Sequence, residues 1–133
     1  MPIDRLADLT SPTLAPRLVV KVGSSLLVGR DGAVRGAWLD SLVRELVEAR
    51  GRGQEVIVVS SGAIALGAAK LAFSKGGRGS LADAQAAAAV GQIALASLWA
   101  ERLAAHGIAA AQLLVTLEDL EDRRRYQIGR AHV

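Results

Sequence analysis

The chain has 133 residues, a formal net charge of +3, and 51% hydrophobic residues against 3% aromatic, so it holds enough apolar material for one domain with a core of small side chains. It contains no cysteine, which excludes disulfides, thiolate metal sites and cysteine nucleophiles. Its arginines are scattered apart from Arg123-Arg124-Arg125, which excludes the basic stripe with interleaved aromatics that a nucleic-acid partner needs.

Met1 to Pro16 carries Pro2, Pro12 and Pro16 among acids and hydroxyl residues. It has no apolar h-region, so it reads as a flexible leader (1–16) and not as a secretory signal. No apolar run approaches membrane-spanning length in this reading. The expectation is a soluble, cytoplasmic domain without a membrane partner.

Leu18 to Val20 and Val22 form a short apolar run ending at Gly23, which predicts a strand buried on both faces. Lys21 interrupts it and requires either an anion or a route to solvent, because burying an ammonium costs several kcal/mol, on the order of 5. Gly23-Ser24-Ser25 follows at once; a sharp bend with small side chains leaves backbone N–H groups free to face a phosphate. Lys21 at the end of an ordinary strand, snorkelling to water, is the competing reading. No Walker A loop and no G-x-G-x-x-G fingerprint occur anywhere in the chain.

Val28 to Gly32 predicts a turn between Leu26-Leu27 and Val34. Trp38 to Arg52 predicts a helix, with Leu39, Leu42, Val43, Leu46 and Val47 on one buried stripe and a Glu48–Arg52 pair outside it. Trp38 reads as a packing residue. Glu55 to Val59 predicts a second buried strand, parallel to the first through a right-handed crossover. Ser60-Ser61-Gly62-Ala63 then opens into a helix over Ile64 to Phe73. Two small-residue loops thus converge on the carboxyl ends of neighbouring strands, where open α/β sheets bind ligands and a helix N-terminus favours anions. Simple N-capping by Ser60 or Ser61 is compatible with that role.

Ser74 to Gly79 reads as a basic linker. Ser80 to His106 predicts a long Ala-rich helix, capped by Ser80 with Asp83 in the capping-box position. Gly91 in its middle predicts close packing, Gly107 ends it, and His106 suits the negative end of the helix dipole without acting as a catalyst. Ile108 to Val115 predicts a third strand. Glu118-Asp119 and Glu121-Asp122, leading into the arginines, read as a solvated helix face and not as a metal site.

Lys21-Val-Gly-Ser-Ser, Val58-Val-Ser-Ser-Gly-Ala-Ile-Ala65, Ser80-Leu-Ala-Asp-Ala-Gln-Ala-Ala-Ala-Ala-Val-Gly-Gln92 and Ala111-Gln-Leu-Leu-Val-Thr-Leu-Glu-Asp to Tyr126 together resemble the amino acid kinase family, and within it the glutamate kinases. The resemblance covers Arg17 to Tyr126, the N-terminal part of the family's kinase domain. It implies an α/β fold, an open and mostly parallel sheet with helices on both faces, here incomplete. It implies ATP-dependent phosphorylation of the γ-carboxylate of L-glutamate, with Mg²⁺ carried by the nucleotide, no protein-held metal, and a homo-oligomer for the full-length enzyme. By that likeness Lys21 is catalytic and contacts the ATP phosphates, Gly23 and Ser24 complete the ATP loop, and Ser61 and Gly62 bind the substrate. Gln127 to Val133 departs from the family pattern and reads as a non-native tail (127–133) on a truncated reading frame, so the chain by itself is expected to be inactive. The alternatives are another amino acid kinase, acting on acetylglutamate, aspartate or a nucleotide, and a non-catalytic phosphate- or nucleotide-binding module.

Overall fold

The computed structural model of this chain describes residues 2–115. A 3-10 turn (Leu6–Thr10) precedes β1 (Arg17–Val22), α1 (Ser24–Leu27), α2 (Gly36–Gly51), β2 (Glu55–Ser60), α3 (Ala63–Lys70) and α4 (Leu81–Ala104). The architecture is α/β, and β1 and β2 pair in parallel from Arg17↔Glu55 to Val22↔Ser60. The acidic and arginine-rich stretch from Glu118 to Tyr126, and the tail after it, lie outside the described residues.

The α2 stripe forms as its 3–4 periodicity predicts. Leu39, Val43, Leu46 and Ala49 are buried, and Leu42 and Val47 pack against the same core. Beneath them lie Val20, Val22, Val56 and Val58, joined by Leu27, Leu66, Leu95 and Trp99. The Glu48–Arg52 pair does not form: the Arg52 Nε instead donates to Gln54 Oε1 at 3.1 Å. The predicted turn is closed by an antiparallel bridge between Val28 and Val34.

Both strands alternate in exposure instead of being buried throughout. Val19, Ile57 and Val59 are exposed at 64%, 41% and 50% on the face turned away from the core. A right-handed crossover places its helix on one side of a strand pair, and covering the other side takes additional elements. Among the described residues the core therefore gathers on one face of the sheet, not on both. Ile108 to Val115 forms no strand, so the expected third strand is absent and the sheet has two strands among the described residues.

The expected leader is tied to the fold at Gln54. This side chain is 3% exposed, and its Nε2 donates to the Leu9 and Ala15 carbonyls at 2.8 and 2.7 Å. A buried amide with all its partners in place fixes the path of the chain into β1.

Ser80 caps α4 by accepting from the Asp83 N–H at 3.0 Å. α3 stops at Lys70 because Ala72 turns to φ 54° and the Phe73 N–H folds back to the Ala68 carbonyl at 2.9 Å. α3 and α4 meet backbone to backbone. A Cβ on Gly67 would lie 1.7 Å from the Ala87 carbonyl oxygen, and one on Gly91 would lie 1.6 Å from that of Ala63. The 74–79 linker is held to this pair by Gly77, whose Cβ position lies 3.0 to 3.5 Å from Ile64, Ala87 and Ala68.

α4 corrects one expectation. At 24 residues, with a mean hydropathy of 1.3 over its most apolar window, it is long and apolar enough to cross a membrane. Its small residues serve the contact with α3, where Gly91 lies against the Ala63 carbonyl.

Candidate functional site

The first loop begins where β1 ends. Val22 is 1% exposed and anchors the strand. Gly23 then leaves it at φ −73° and ψ 157°, a conformation open to any residue. Ser24 and Ser25 start α1, which Leu27 pins down from a wholly buried position. A side chain on Gly23 would meet no heavy atom within 4 Å. Neither backbone strain nor crowding within the described residues calls for glycine there.

Lys21 lies one position before the buried Val22, level with Val59 and on the exposed face of the sheet. Among the described residues it forms no ion pair. Its charge reaches solvent, so the desolvation cost that a buried ammonium would carry does not arise.

The second loop is bound directly to the first. The Ser61 N–H donates to the Val22 carbonyl at 3.0 Å, and its hydroxyl donates to the same oxygen at 3.3 Å. The Ser60 hydroxyl donates to the Ser61 carbonyl at 3.2 Å. Neither serine caps α3: the N-cap is Gly62, which has no side-chain hydrogen bond to offer. The first N–H groups of α3 are thus left without a side-chain partner at the rim of the sheet.

Gly62 has φ +120°, a region that L-residues rarely enter. Its Cβ position lies 3.0 Å from Leu27 Cδ2 and 3.8 Å from Ser24 Cα. Gly23, Ser24, Ser61 and Gly62 therefore sit together at the carboxyl end of the two strands, with Lys21 two residues before Gly23. Leu27 is the residue that sequence reasoning left out of this arrangement; it fills the contact between the loops. Its signal was an apolar pair directly after two serines, which reads equally well as the start of a turn.

Among the described residues no group of three or more His, Cys, Asp and Glu side chains could hold a metal ion. A cavity of about 840 Å³ lies between α2, β2, α4 and residues 108–114, and of the two rim loops its lining includes Ser60.

Comparison with known proteins gives a consistent result. The sequence profile of the amino acid kinase family matches residues 16–133. A protein named Glutamate 5-kinase from Novosphingobium aromaticivorans is 71% identical over 126 residues, covering 95% of this chain and 33% of its own length. Proteins of the same name from Sphingopyxis alaskensis and Zymomonas mobilis are 61% and 56% identical, covering 90% and 86% of this chain and 32% and 29% of theirs. The chain spans about a third of the length of these relatives.

Proposed function

Since this chain belongs to the amino acid kinase family, we propose that it carries the first part of an ATP:glutamate phosphotransferase site, with a phosphoryl group resting between the Gly23-Ser24 and Ser61-Gly62 loops. The names of the relatives support glutamate as the acceptor. The single observation that carries the placement is Gly23: nothing in the fold requires a glycine, yet one stands open at the end of β1 beside the touching second loop.

The chemistry is undemanding of protein nucleophiles. An oxygen of the glutamate γ-carboxylate attacks the γ-phosphorus of ATP, the bond to the bridging oxygen breaks, and ADP leaves as γ-glutamyl phosphate forms. Such a transfer needs in-line placement and neutralisation of spread negative charge. Lys21 supplies a mobile positive charge, Gly23 and Ser24 bring N–H groups close to the ATP phosphates, and Ser61 with Gly62 holds the acceptor. Mg²⁺ travels with the nucleotide and, when bound, neutralises charge on its phosphates. The free ATP and glutamate of the cytoplasm place the reaction there, and proline synthesis is the use its product suits.

Residues from the remaining two-thirds of the relatives' length complete the activity in this reading, so this chain binds ligand without turnover. A hydroxamate trap with ATP and glutamate is expected to give no signal from the chain alone, and an acyl-phosphate signal overturns that statement. The sharper test is Gly23→Ala. Its stability is expected to stay within about 0.5 kcal/mol of the parent by urea titration. Its amide NMR response to ATP at Ser24 and Ser61 is expected to fall at least about tenfold in affinity, as loss of roughly 1.4 kcal/mol would give. Unchanged affinity, or a response centred on aspartate or N-acetylglutamate in place of glutamate, would sink the proposal.

A further inference from the structure

The link between α3 and α4, which its composition presents only as a basic connection, has a defined geometry. The Arg78 N–H donates to the Lys75 carbonyl at 3.1 Å, and the two residues between them, Gly76 and Gly77, have φ of +61° and +79°. Positive φ at both central positions is what a pair of glycines supplies to a tight turn, and such a turn brings its end residues within about 7 Å of each other. The turn is seated and does not hang free. Gly77 is buried, and its Cβ position lies 3.0 Å from Ile64 Cγ2 and 3.3 Å from Ala87 Cβ, so α3 and α4 together fix it.

Both ends of this turn are positively charged. Lys75 and Arg78 are exposed, and among the described residues neither forms an ion pair. The acid beside them is Asp83, whose Oδ2 lies 2.6 Å from the Gly79 Cβ position; it too forms no ion pair among the described residues. Two like charges held at one turn repel, and an anion shared between them turns that repulsion into attraction. The turn also has a telling neighbour. Ile64 follows Gly62 by two positions and is 43% exposed. Along this flank the order is therefore the Ser61-Gly62 bend, an open apolar side chain, and a pair of cations.

Resting on the glutamate reading above, we infer that Lys75 and Arg78 form a carboxylate subsite for the end of the acceptor remote from the transferred phosphoryl group. With the γ-carboxylate at Ser61 and Gly62, the methylenes of glutamate lie along Ile64 and the α-carboxylate meets the two cations. Arg78 brings a planar fork that matches two carboxylate oxygens, and Lys75 brings a compact point charge. The arrangement selects a dicarboxylate, because an acceptor without the second carboxylate leaves both cations unmatched.

Amide NMR titrations of the chain with L-glutamate and with 4-aminobutyrate, which keeps the γ-carboxylate and lacks the α-carboxylate, test this. Glutamate is expected to shift the amides of Ser61, Gly62 and Arg78. 4-Aminobutyrate is expected to bind at least about tenfold more weakly, with shifts confined to Ser61 and Gly62. The double variant Lys75→Gln with Arg78→Gln changes two exposed side chains, and its spectrum outside residues 74–80 should match the parent's. It is expected to lose about tenfold in glutamate affinity while its affinities for ATP and 4-aminobutyrate stay within about twofold. Unchanged glutamate affinity in the variant overturns the inference. So does a parallel fall in ATP affinity, because the cations then act only through their general positive potential. Glutamate shifts at Ser61 and Gly62 without any at Arg78 overturn it and leave the glutamate reading standing, whereas shifts at neither place overturn both.

Discussion

The α3–α4 pair and the β1–β2 sheet are built from similarly small, apolar residues, yet they are finished to different degrees. The helices approach until main chains touch, through Gly67 and Gly91. The sheet has one covered face and one on which Val19, Ile57 and Val59 meet solvent. The difference follows from where the partners lie in the chain. α3 and α4 are joined by a ten-residue link (71–80) and complete each other locally. A parallel sheet collects its neighbours through crossovers, so each strand depends on chain that arrives later. The two rim loops sit at the junction of the two regions.

Gly91→Val should break the finished region most severely. Its side chain would enter the Ala63 carbonyl, and a loss of about 4 kcal/mol or more in urea titrations is expected, with a collapse of α4 amide protection. Gln54→Met comes next. It removes the donors to Leu9 and Ala15 and should cost about 1–3 kcal/mol, with limited proteolysis moving to residues 5–15. Gly62→Ala should cost about 1–3 kcal/mol for a non-glycine at positive φ. Its Cβ presses on Leu27, so amide shifts are expected at Ser24 and Ser25 rather than in α2. At the other extreme, Val19→Thr with Ile57→Thr alters only the open face and should stay within about 0.5 kcal/mol. Light scattering should show the chain staying monodisperse to higher concentration, since a smaller exposed apolar patch gives less association.

Much of the site was legible because it is written in local chemistry. Lys21 before Gly23-Ser24, and Ser61-Gly62 after a valine-rich strand, announce two bends at strand ends without any knowledge of their neighbours. The α2 stripe and the Ser80 cap are equally local, and both formed. What could not be read depends on remote partners. Alternating valines and isoleucines look the same whether one face of a sheet is covered or two. Gln54 looks like any polar residue at a helix exit until Leu9 and Ala15 are placed beside it, 45 and 39 positions away. The Glu48–Arg52 spacing was right for a pair, but a closer acceptor on Gln54 took the arginine. Ile108 to Val115 is an apolar, Ala-rich run, and among the described residues it joins no ladder.

The apposition of Gly91 with the Ala63 carbonyl has a mechanical corollary. Ala63 follows Ser61 by two positions, so the second bend is clamped at its downstream side by a residue nearly thirty places further on. Its coordinates are inherited from a rigid helical brace and not chosen by the bend itself. Substitutions along the Ala87 to Leu95 flank of α4 should accordingly retune ligand affinity without touching the ligand, through tilts of the brace too small to disturb the core.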